Sequence, residues 1–327
     1  MNVRQQYISL DKPAEWRQAL VGIRHSFGHT WESCYAMHLT TGLKTYLYCF
    51  ESDQGRVVCP ICEREYHGTV DVVKPFGFSG FVGTGDCSGF DRYWKESALE
   101  RGYVCGFLGL NPVFDFSSHF DAPEVQQYDT IHLLNLSLTM DQLFSNLHRS
   151  RQRELKHWDN QNPAFACDPA ALKTFFLEQY TAFLQARHAD PFYFFSEETL
   201  LCLTNLENVV LSGAQIDGKI VAVMLFAYTP HAADALFTLS LPEGRGYTVP
   251  LVWHGVNHFK LLQVPSLNLG GGGGGVGESK RRYGCDEHPL YCLKQVYQPE
   301  IYESLCQQAG VEPDSSCGYF PAYRKPA

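Results

Sequence analysis

A run of six glycines, Gly270–Gly275, constrains the folding of this chain more than any other feature. Glycine loses more conformational freedom on folding than any other residue, so a folded protein keeps such a run only where its backbone needs it. A strand-like segment, Ser266–Leu269, precedes the run, and a charged segment, Lys280–Arg282, follows it. This setting disfavours a linker. It favours a turn after a buried strand, where the backbone passes close to a substrate.

Two nucleotide-binding patterns resemble this run, and neither fits. The dinucleotide fingerprint G-x-G-x-x-G opens a helix early in a βαβ unit and is followed about 20 residues later by an acidic residue. Here the run lies late in the chain, with little sequence beyond it. The Walker A loop needs a lysine after its last glycine, and Gly277 is followed by Glu278. The sequence therefore does not predict a nucleotide-binding loop.

The composition indicates an acidic globular protein. The chain has 327 residues, of which 45% are hydrophobic and 19% charged, and its net charge is -9. Such a charge repels nucleic acid unless a local basic patch compensates. No apolar segment has the length of a signal peptide or a membrane span. We therefore expect a cytoplasmic protein without a transmembrane segment.

A β-hairpin is predicted in each half of the chain. The first covers residues 45–61 and turns near Gly55, and the second covers 209–228 and turns at Asp217-Gly218. Asp-Gly between β-rich segments is the strongest short-range hairpin signal. Each half reads as helices, a long hairpin and a strand–helix–strand return, which indicates a coarse internal duplication. A polar break at Asn160–Pro163 predicts a division into residues 1–160 and 161–327.

Helices are predicted from capping residues and apolar spacing. Thr139 is expected to cap a single helix on which Leu143, Leu147, Arg151 and Leu155 share a face. The other helices are predicted at residues 168–184, from Ser196 onwards and at 250–262.

Metal-binding patterns are incomplete. Cys59 and Cys62 lack a second pair of ligands at zinc spacing, and they fall in a predicted strand. His254 and His258 are one helical turn apart, but Gly255 stands where a metalloprotease needs glutamate. We expect structural cysteines, histidines on a helix face and no metal site.

Two basic segments stand out in this acidic chain. In the segment 148–156, Arg149 and Arg153 are spaced to share one helix face, at either a solvated helix end or an anion site. In Lys280–Arg282, three cations follow the glycines. They are either solvated or converge with glycine amides to bind a diphosphate or polarise a carbonyl.

The second half resembles the FemAB-type acyltransferases of the GNAT superfamily, especially those associated with polysaccharide and peptidoglycan assembly. The Asn268–Gly272 segment resembles the "LGGG" turn of the family, and Lys280–Gly284 resembles its "FK..FG" segment. The other matching segments are Tyr180, Phe192–Ser196, Leu239-Ser240, Pro250–Val252 and Gln298–Leu305.

The first half resembles the same family more loosely. Asp71 with Pro75–Gly80 resembles its "D...PYGYSG" motif, and Val58–Arg64 resembles its "P...R" strand. The segment from Leu136 through Arg149, Arg151 and Arg153 resembles the end of its first domain. The chain departs from the family in three places. Ser279 stands where phenylalanine is usual, the glycine run is longer, and Glu243–Gly246 only partly replaces the GNAT pyrophosphate loop.

This resemblance implies an α/β (α+β) fold of two tandem GNAT-like domains with a cleft between them. Each domain would be a mixed, mostly antiparallel sheet flanked by helices. It also implies an N-acyltransferase that forms an amide on the amine of an amino sugar, amino acid or nucleotide-linked precursor, in polysaccharide or natural-product biosynthesis. The donor would be acyl-CoA or aminoacyl-tRNA, acting as co-substrate rather than as a tightly bound cofactor. The alternative is a non-catalytic binding protein with a degenerate GNAT fold.

The resemblance and the residue chemistry together nominate three sets of site residues. The catalytic candidates are Lys280, Asp71 and Tyr283. The candidates for substrate binding are Gly270, Gly271, Gly272, Arg281, Arg282, Tyr193, Phe76 and Arg64. The candidates for binding the donor's phosphates are Gly244, Arg245, Gly246, Arg149 and Arg153.

Overall fold

The structure, a computed structural model, describes residues 3–114, 116–158, 162–165, 167–313 and 319–325. Its strands are β1 Arg4–Ser9, β2 Lys44–Glu51, β3 Gly55–Tyr66, β4 Thr69–Val73, β5 Val82–Gly85, β6 Tyr103–Leu110, β7 Val125–Asn135, β8 Val209–Ile216, β9 Lys219–Thr229, β10 Ala232–Ser240, β11 Ser266–Gly271 and β12 Asp286–Val296. Its α-helices are α1 Pro13–Leu20, α2 Trp31–Thr41, α3 Phe90–Glu100, α4 Met140–Asn146, α5 Arg149–Leu155, α6 Pro169–Gln185, α7 Glu197–Thr204, α8 Thr248–Leu261, α9 Gly274–Arg281 and α10 Pro299–Ala309.

The chain folds into two compact units. Unit 1 comprises Met1–Asp129 and Pro289–Ala327, and unit 2 comprises Thr130–His288. The boundaries of the units fall within strands β7 and β12. Residues 160 and 161, where the sequence predicts the division, lie outside the described residues, so that division stays a prediction.

In unit 1 the strand order is β1-β2-β3-β4-β6-β12, and β5 pairs with the first half of β3. Neighbouring strands are antiparallel except β4 and β6, which are parallel. Helix α3 connects this parallel pair, and its Phe90 and Trp94 pack with Tyr48 and Phe81 in an aromatic core. Aromatic side chains bury much area, which explains their high content in this chain.

In unit 2 the strand order is β7-β11-β10-β9-β8, again antiparallel except for one parallel pair, β10 and β11. Helix α8 connects this pair, and its Phe259 packs on Phe226 of β9. Helix α6 packs Phe176 on Phe237 of β10. The two units thus contain the same elements in the same order: first helices, then an antiparallel meander, then a further helix and a parallel strand. The predicted fold class, a mixed and mostly antiparallel sheet flanked by helices, is confirmed.

Turn and cap chemistry explains the confirmed elements. Asp217 and Gly218 have φ of 49° and 75°, the left-handed geometry that two-residue hairpins need. Thr139 caps α4 by accepting from the N–H of Gln142, whose side chain reaches back to the Thr139 N–H. Asp168 and Ser196 cap α6 and α7 in the same way.

The single helix predicted from Thr139 is wrong, because the structure has two helices there. Helix α4 ends at Asn146, and Leu147 adopts an extended backbone with φ -62° and ψ 141°. His148 then caps α5 by accepting from the N–H of Ser150. Arg149 is therefore the first residue of a helix, where the helix dipole does not favour a cation.

Candidate active site

The parallel strands β10 and β11 separate soon after they meet. They pair only at Ala233 with Leu267 and at Asp234 with Asn268. A β-bulge follows on β10 between Ala235 and Phe237, where the register on β9 shifts by one residue. Bulges bend a strand, leave backbone groups unpaired and are frequent beside active sites. This part of unit 2 therefore offers backbone and side-chain groups at the point where two parallel strands separate.

The glycine run is divided between three elements rather than forming one turn. It ends β11 at Gly271, passes through Gly273 at the helix cap and continues into the first turn of α9. Gly270 and Gly272 have φ of 82° and 125°, which side chains rarely adopt. By contrast, a Cβ on Gly273 or Gly275 would meet nothing within 4 Å. Backbone geometry thus accounts for some of the six glycines but not for all of them.

Lys280 lies over the end of β11. It belongs to the last turn of α9, and its ammonium group donates to the Gly271 carbonyl. A Cβ added to Gly270 would lie 3.4 Å from this nitrogen. The structure thus brings Lys280 to the glycine run through a backbone carbonyl, and a role of this cation in polarising a substrate carbonyl stays a prediction.

Tyr283 belongs to the hydrophobic core. It is buried in the cluster formed by α4, α5 and α8, and burial raises the pKa of its hydroxyl well above its usual range. The Arg151 guanidinium lies 5.1 Å from its ring centroid and donates 3.0 Å to Ser279 Oγ on α9. Sequence reasoning did not place Arg151 in the site, and among the basic residues of α5 it is the one that packs under α9.

Arg281 and Arg282 pair with acids of their own segment. Arg281 contacts Glu287 at 2.9 Å and Glu278 at 3.2 Å, while Arg282 contacts Glu278 at 3.3 Å. All these side chains are about half exposed. Exposed ion pairs contribute little stability, so an anionic ligand can replace these partners at low cost.

His132 is a buried neighbour of the glycine run that sequence reasoning missed. Its Nδ1 lies 3.3 Å from the Gly270 carbonyl oxygen, and its Nε2 lies 3.3 Å from a Glu287 carboxylate oxygen. The second contact meets the distance of an ion pair but not the angles of a hydrogen bond. No motif contains His132, because strand pairing alone brings it to β11.

Asp234 is a second buried side chain that no motif signals. Its carboxyl group accepts one hydrogen bond, 2.9 Å from Asn268 Nδ2. Burial raises its pKa to about 7, and the Asn268 hydrogen bond partly offsets that rise. The side-chain oxygen of Asn268, Oδ1, in turn accepts from the Gly270 N–H at 2.7 Å. Asp234 is thereby linked through one amide to the turn that holds Lys280.

A groove of about 310 Å³ lies between α6 and the end of β10. Two arginines line it: Arg187, which lies 3.6 Å from the Phe183 ring centroid, and Arg245, in the 3₁₀ helix Pro242–Tyr247. Burial, and then the charge of Arg245, lower the pKa of Arg187. The remaining lining is mainly apolar, with Phe175, Ala182, Ala186, Leu239, Leu241 and Pro242.

The other predicted phosphate-binding residues differ in their surroundings. Gly244 packs so closely on β9 that a Cβ would overlap the Val221 carbonyl, whereas a Cβ on Gly246 would meet nothing within 4 Å. Arg149 and Arg153 lie on α5 and do not line the groove. Of this set, the structure brings Arg245 to a groove and gives Gly244 a packing role.

Asp71 and Arg64, both in unit 1, form an ion-pair network. The Asp71 carboxylate is fully buried and contacts Arg64 at 2.7 Å and Arg324 at 2.6 Å. The Tyr323 hydroxyl also donates to it at 2.9 Å. Both carboxylate oxygens are thus engaged by fixed donors, which is the arrangement of a structural carboxylate rather than of a general base.

Phe76 and Tyr193, the two aromatic candidates for substrate binding, are only partly buried. Phe76, in unit 1, is half-buried in the loop after β4. Tyr193, in unit 2, is 45% exposed in the 3₁₀ helix Pro191–Tyr193, and its carbonyl accepts from the Tyr180 hydroxyl at 2.6 Å.

Two further site types have no candidate in the described part of the chain. No group of three or more potential metal ligands comes together within those residues. None of the helices described above combines the length and the apolar character needed to cross a membrane.

Comparisons with known proteins support the fold. No protein-family model and no curated protein matches the chain. Among solved structures, FemX superposes with a TM-score of 0.69 at 11% identity, over 92% of this chain and 99% of FemX. A conserved protein of unknown function from Bacteroides thetaiotaomicron gives 0.61 at 12% identity, over 90% of this chain and 100% of that one.

A third structure belongs to the same group of folds. The C-terminal domain of a putative lysylphosphatidylglycerol synthetase from Agrobacterium fabrum gives a TM-score of 0.53 at 14% identity, over 91% of this chain and 96% of that domain. At such identities a likeness shows the fold and not the substrate. The chain therefore has a GNAT-like fold similar to that of FemX, and the FemAB-type subgroup stays a prediction.

Proposed function

We propose that this protein is an N-acyltransferase that moves an acyl group from a donor to the amine of a small acceptor. The observation that carries the proposal is the end of β11, where the glycine turn and the Lys280 ammonium group adjoin strands that have just separated. The FemX-like fold supports the same reaction class by analogy.

The chemistry needs few protein groups. A neutral amine attacks the acyl carbonyl, and the negative charge that develops on the carbonyl oxygen must be stabilised. Lys280 now donates to the backbone carbonyl of Gly271, and it would exchange that partner for a substrate oxygen. The N–H groups at the start of α9, around Gly274, add donors, since the first turn of a helix leaves its N–H groups unpaired.

For the donor, the unit 2 groove favours acyl-CoA over aminoacyl-tRNA. Arg187 and Arg245 converge on a largely apolar groove, which suits a phosphate attached to a less polar chain. The net charge of -9 opposes the binding of a long polyanion such as tRNA. We assign the donor's phosphates to Arg187 and Arg245, with the open Gly246 beside Arg245.

For the acceptor, Arg281 and Arg282 are the best-placed cations. They follow Lys280 directly and hold only exposed acidic partners. An acceptor that carries a phosphate or carboxylate besides its amine could displace Glu278 from both arginines. An amino acid, a phosphorylated amino sugar or a nucleotide-linked amine would satisfy this requirement. We do not carry Asp71 and Tyr283 forward as catalytic residues, because fixed partners and core packing account for both.

The direct test is transfer of a labelled acyl group. The protein is incubated with radiolabelled acetyl-CoA or with charged tRNA, against a panel of amino sugars, amino acids and nucleotide-linked amines. We expect amide formation with acyl-CoA. Absence of transfer from both donors, together with no ligand-induced shift of the melting temperature, would contradict the enzyme. A ligand-induced shift of the melting temperature without transfer would favour a binding protein.

A pair of double variants tests the donor site. We expect R187A/R245A to raise the KM for acyl-CoA at least 10-fold, because each lost charge-assisted contact contributes about 1.5–3 kcal/mol. The matched control is R149A/R153A, which removes the same charge from α5. If the control raises KM instead, the basic segment of α5 holds the phosphates and our assignment is wrong.

A further inference from the structure

The proposed reaction lacks a proton acceptor, and the described residues of unit 2 contain one buried carboxyl group without a cationic partner to neutralise it. Asp234 is 4% exposed, and Asn268 is the single side chain of the described residues that hydrogen-bonds to it. An ionised carboxylate accepts about four hydrogen bonds, so Asp234 keeps unused accepting capacity. A buried carboxylate with spare capacity is a group that a cationic ligand can satisfy.

The position of Asp234 adds a second, independent observation. Asp234 and Asn268 are the last residues at which β10 and β11 pair, and the bulge begins one residue later. Asn268 is held in place because its oxygen accepts from the Gly270 N–H, which leaves its NH2 group to donate to Asp234. The carboxyl group therefore lies where the strands open, one amide away from the turn that Lys280 contacts.

We propose that Asp234 is the proton acceptor of acyl transfer, taking a proton from the ammonium group of the acceptor, and that Asn268 positions it. This inference rests on the acyltransferase function proposed above. It assigns the acceptor to one chemical class, a primary amine that arrives protonated. Its ammonium group would supply the counter-charge that the buried carboxylate lacks.

The proton and electron balance is simple. The ammonium group R–NH3⁺ gives one proton to the Asp234 carboxylate, which leaves R–NH2 and a carboxylic acid. The nitrogen lone pair then forms a bond to the acyl carbon, and Lys280 stabilises the oxyanion. The tetrahedral intermediate expels the thiolate of the donor, which takes the second proton from nitrogen. The products are the amide, the free thiol and protonated Asp234, which then releases its proton to water.

The surroundings of Asp234 set the pH at which this acceptor works. Its register neighbours are Ala227 on β9 and Asn268 on β11, and no charged side chain shifts its pKa, which burial alone raises to about 7. The titratable groups on the elements packed against β10 have other surroundings. On α6, Tyr180 donates to the Tyr193 carbonyl and Lys173 to Asn205, while Glu178 is exposed. On α8, Lys260 donates to the Leu136 carbonyl, His254 bonds Ser212 and His258 packs on Phe259. On β9 and the 3₁₀ helix Pro242–Tyr247, Tyr228 packs on Phe259 and Tyr247 on Phe165, while Lys219, Glu243 and Arg245 are exposed. At the adjoining turn, His132 and Lys280 contact the carbonyls of Gly270 and Gly271.

The pH dependence follows with a definite sign. Asp234 accepts a proton only when ionised, so the rate rises with pH and levels off above about 7. Because the acceptor must bind as an ammonium ion, the rate falls again above the pKa of its amine, which gives a second, falling limb. Two acceptors whose amine pKa values differ separate the two limbs, because only the limb of Asp234 stays fixed.

The experiment measures kcat/KM against pH for the wild type and for D234N, N268A and D286N, with acetyl-CoA and two such acceptors. We expect D234N to lower kcat about 10²–10⁴-fold, the usual contribution of a positioned general base, and to lose the limb near pH 7. N268A should move this limb to higher pH, because the lost hydrogen bond stabilises the carboxylate. D286N, which changes an exposed acid of β12, should match the wild type.

The outcomes separate the two proposals. No transfer by the wild type overturns the acyltransferase function, and the role of Asp234 with it. Transfer by D234N within twofold of the wild type, with the limb near pH 7 intact, overturns the role of Asp234 alone. If D234N does not fold, the N268A variant provides the test. A purely structural role for Asp234 would leave the rise of kcat/KM near pH 7 at the same pH in N268A, and that result would overturn the proposal.

Discussion

Each unit contains one pair of parallel strands joined by a helix, and the two pairs end differently. In unit 1, β4 and β6 stay paired to Val73 and Phe107, and the Lys74 side chain then crosses β6 at Gly109. A Cβ on Gly109 would lie 2.6 Å from Lys74 Cδ. In unit 2, β10 and β11 separate at once, and Lys280 comes from a later helix.

The loop after the strand shows the same contrast. In unit 1 the loop after β4 is fixed from several sides, since Ser26 and Asn111 donate to the Phe78 carbonyl and His29 contacts the Gly80 carbonyl. Lys74 itself donates to the Gly77 carbonyl at 2.6 Å, and burial lowers its pKa to about 8. The end of the parallel pair is thus occupied by Lys74 in unit 1, whereas in unit 2 the two strands separate beside the glycine turn. Local packing, and not topology, decides where a site can form.

The buried acids provide the largest expected effect. Asp71 is neutralised by two arginines, so D71N leaves both guanidinium groups without their counter-charge and should cost about 3–5 kcal/mol of unfolding free energy. Asp234 has no cation, so D234N should cost little. Chemical denaturation of the two variants at pH 8 compares them directly. Equal losses of unfolding free energy would show that the two carboxyl groups contribute equally to stability and would contradict this difference.

The stability of D234N should also depend on pH differently from that of the wild type. The folded pKa of Asp234 is about 7, above the 3.8 of an unperturbed aspartate, so its contribution to stability is complete below about pH 4 and is lost as pH rises to 7. D234N lacks this titration. From pH 4 to pH 8, the melting temperature of D234N should therefore rise by several degrees relative to that of the wild type. A constant difference over that range would contradict the raised pKa.

Alanine substitutions at Gly244 and Gly246, in the 3₁₀ helix before α8, should differ in their effect on stability, by a smaller amount than the buried acids do. G244A inserts a methyl group against the Val221 carbonyl and should cost about 1–3 kcal/mol. G246A meets no atom and should change stability by less than about 0.5 kcal/mol. Thermal unfolding measures both. Equal effects would show that the loop does not hold the packing described.

The smallest effect is expected at Tyr283. Because its ring packs in the core and its hydroxyl has no part in the proposed chemistry, Y283F should keep kcat within about twofold. A pH–rate profile with saturating donor checks this. A loss of 10-fold or more would return Tyr283 to the catalytic group.

The sequence predicts those features that local chemistry determines. The Asp217-Gly218 hairpin and the caps at Thr139, Asp168 and Ser196 follow from turn and capping preferences, and the structure confirms them. The break at Leu147 carries no proline or glycine, so the apolar spacing across it predicts one helix instead of two.

Non-local pairing explains the site residues that the sequence does not reveal. Asp234 and His132 are single polar residues in strands, and only the register of β7, β10 and β11 brings them to the glycine turn. Lys280 could be found because it shares a short segment with that turn. Arg187 reaches the groove only through the packing of α6 on β10.

The central claim is that catalysis belongs to the strand end of unit 2 and not to its counterpart in unit 1. Its most direct test is kcat/KM for K280A against K74M, measured with the same donor and acceptor. We expect K280A to lose about 10²–10³-fold, the usual effect of removing one oxyanion donor, and K74M to stay within about threefold of the wild type. The reverse order, with K74M inactive and K280A unaffected, would contradict the account.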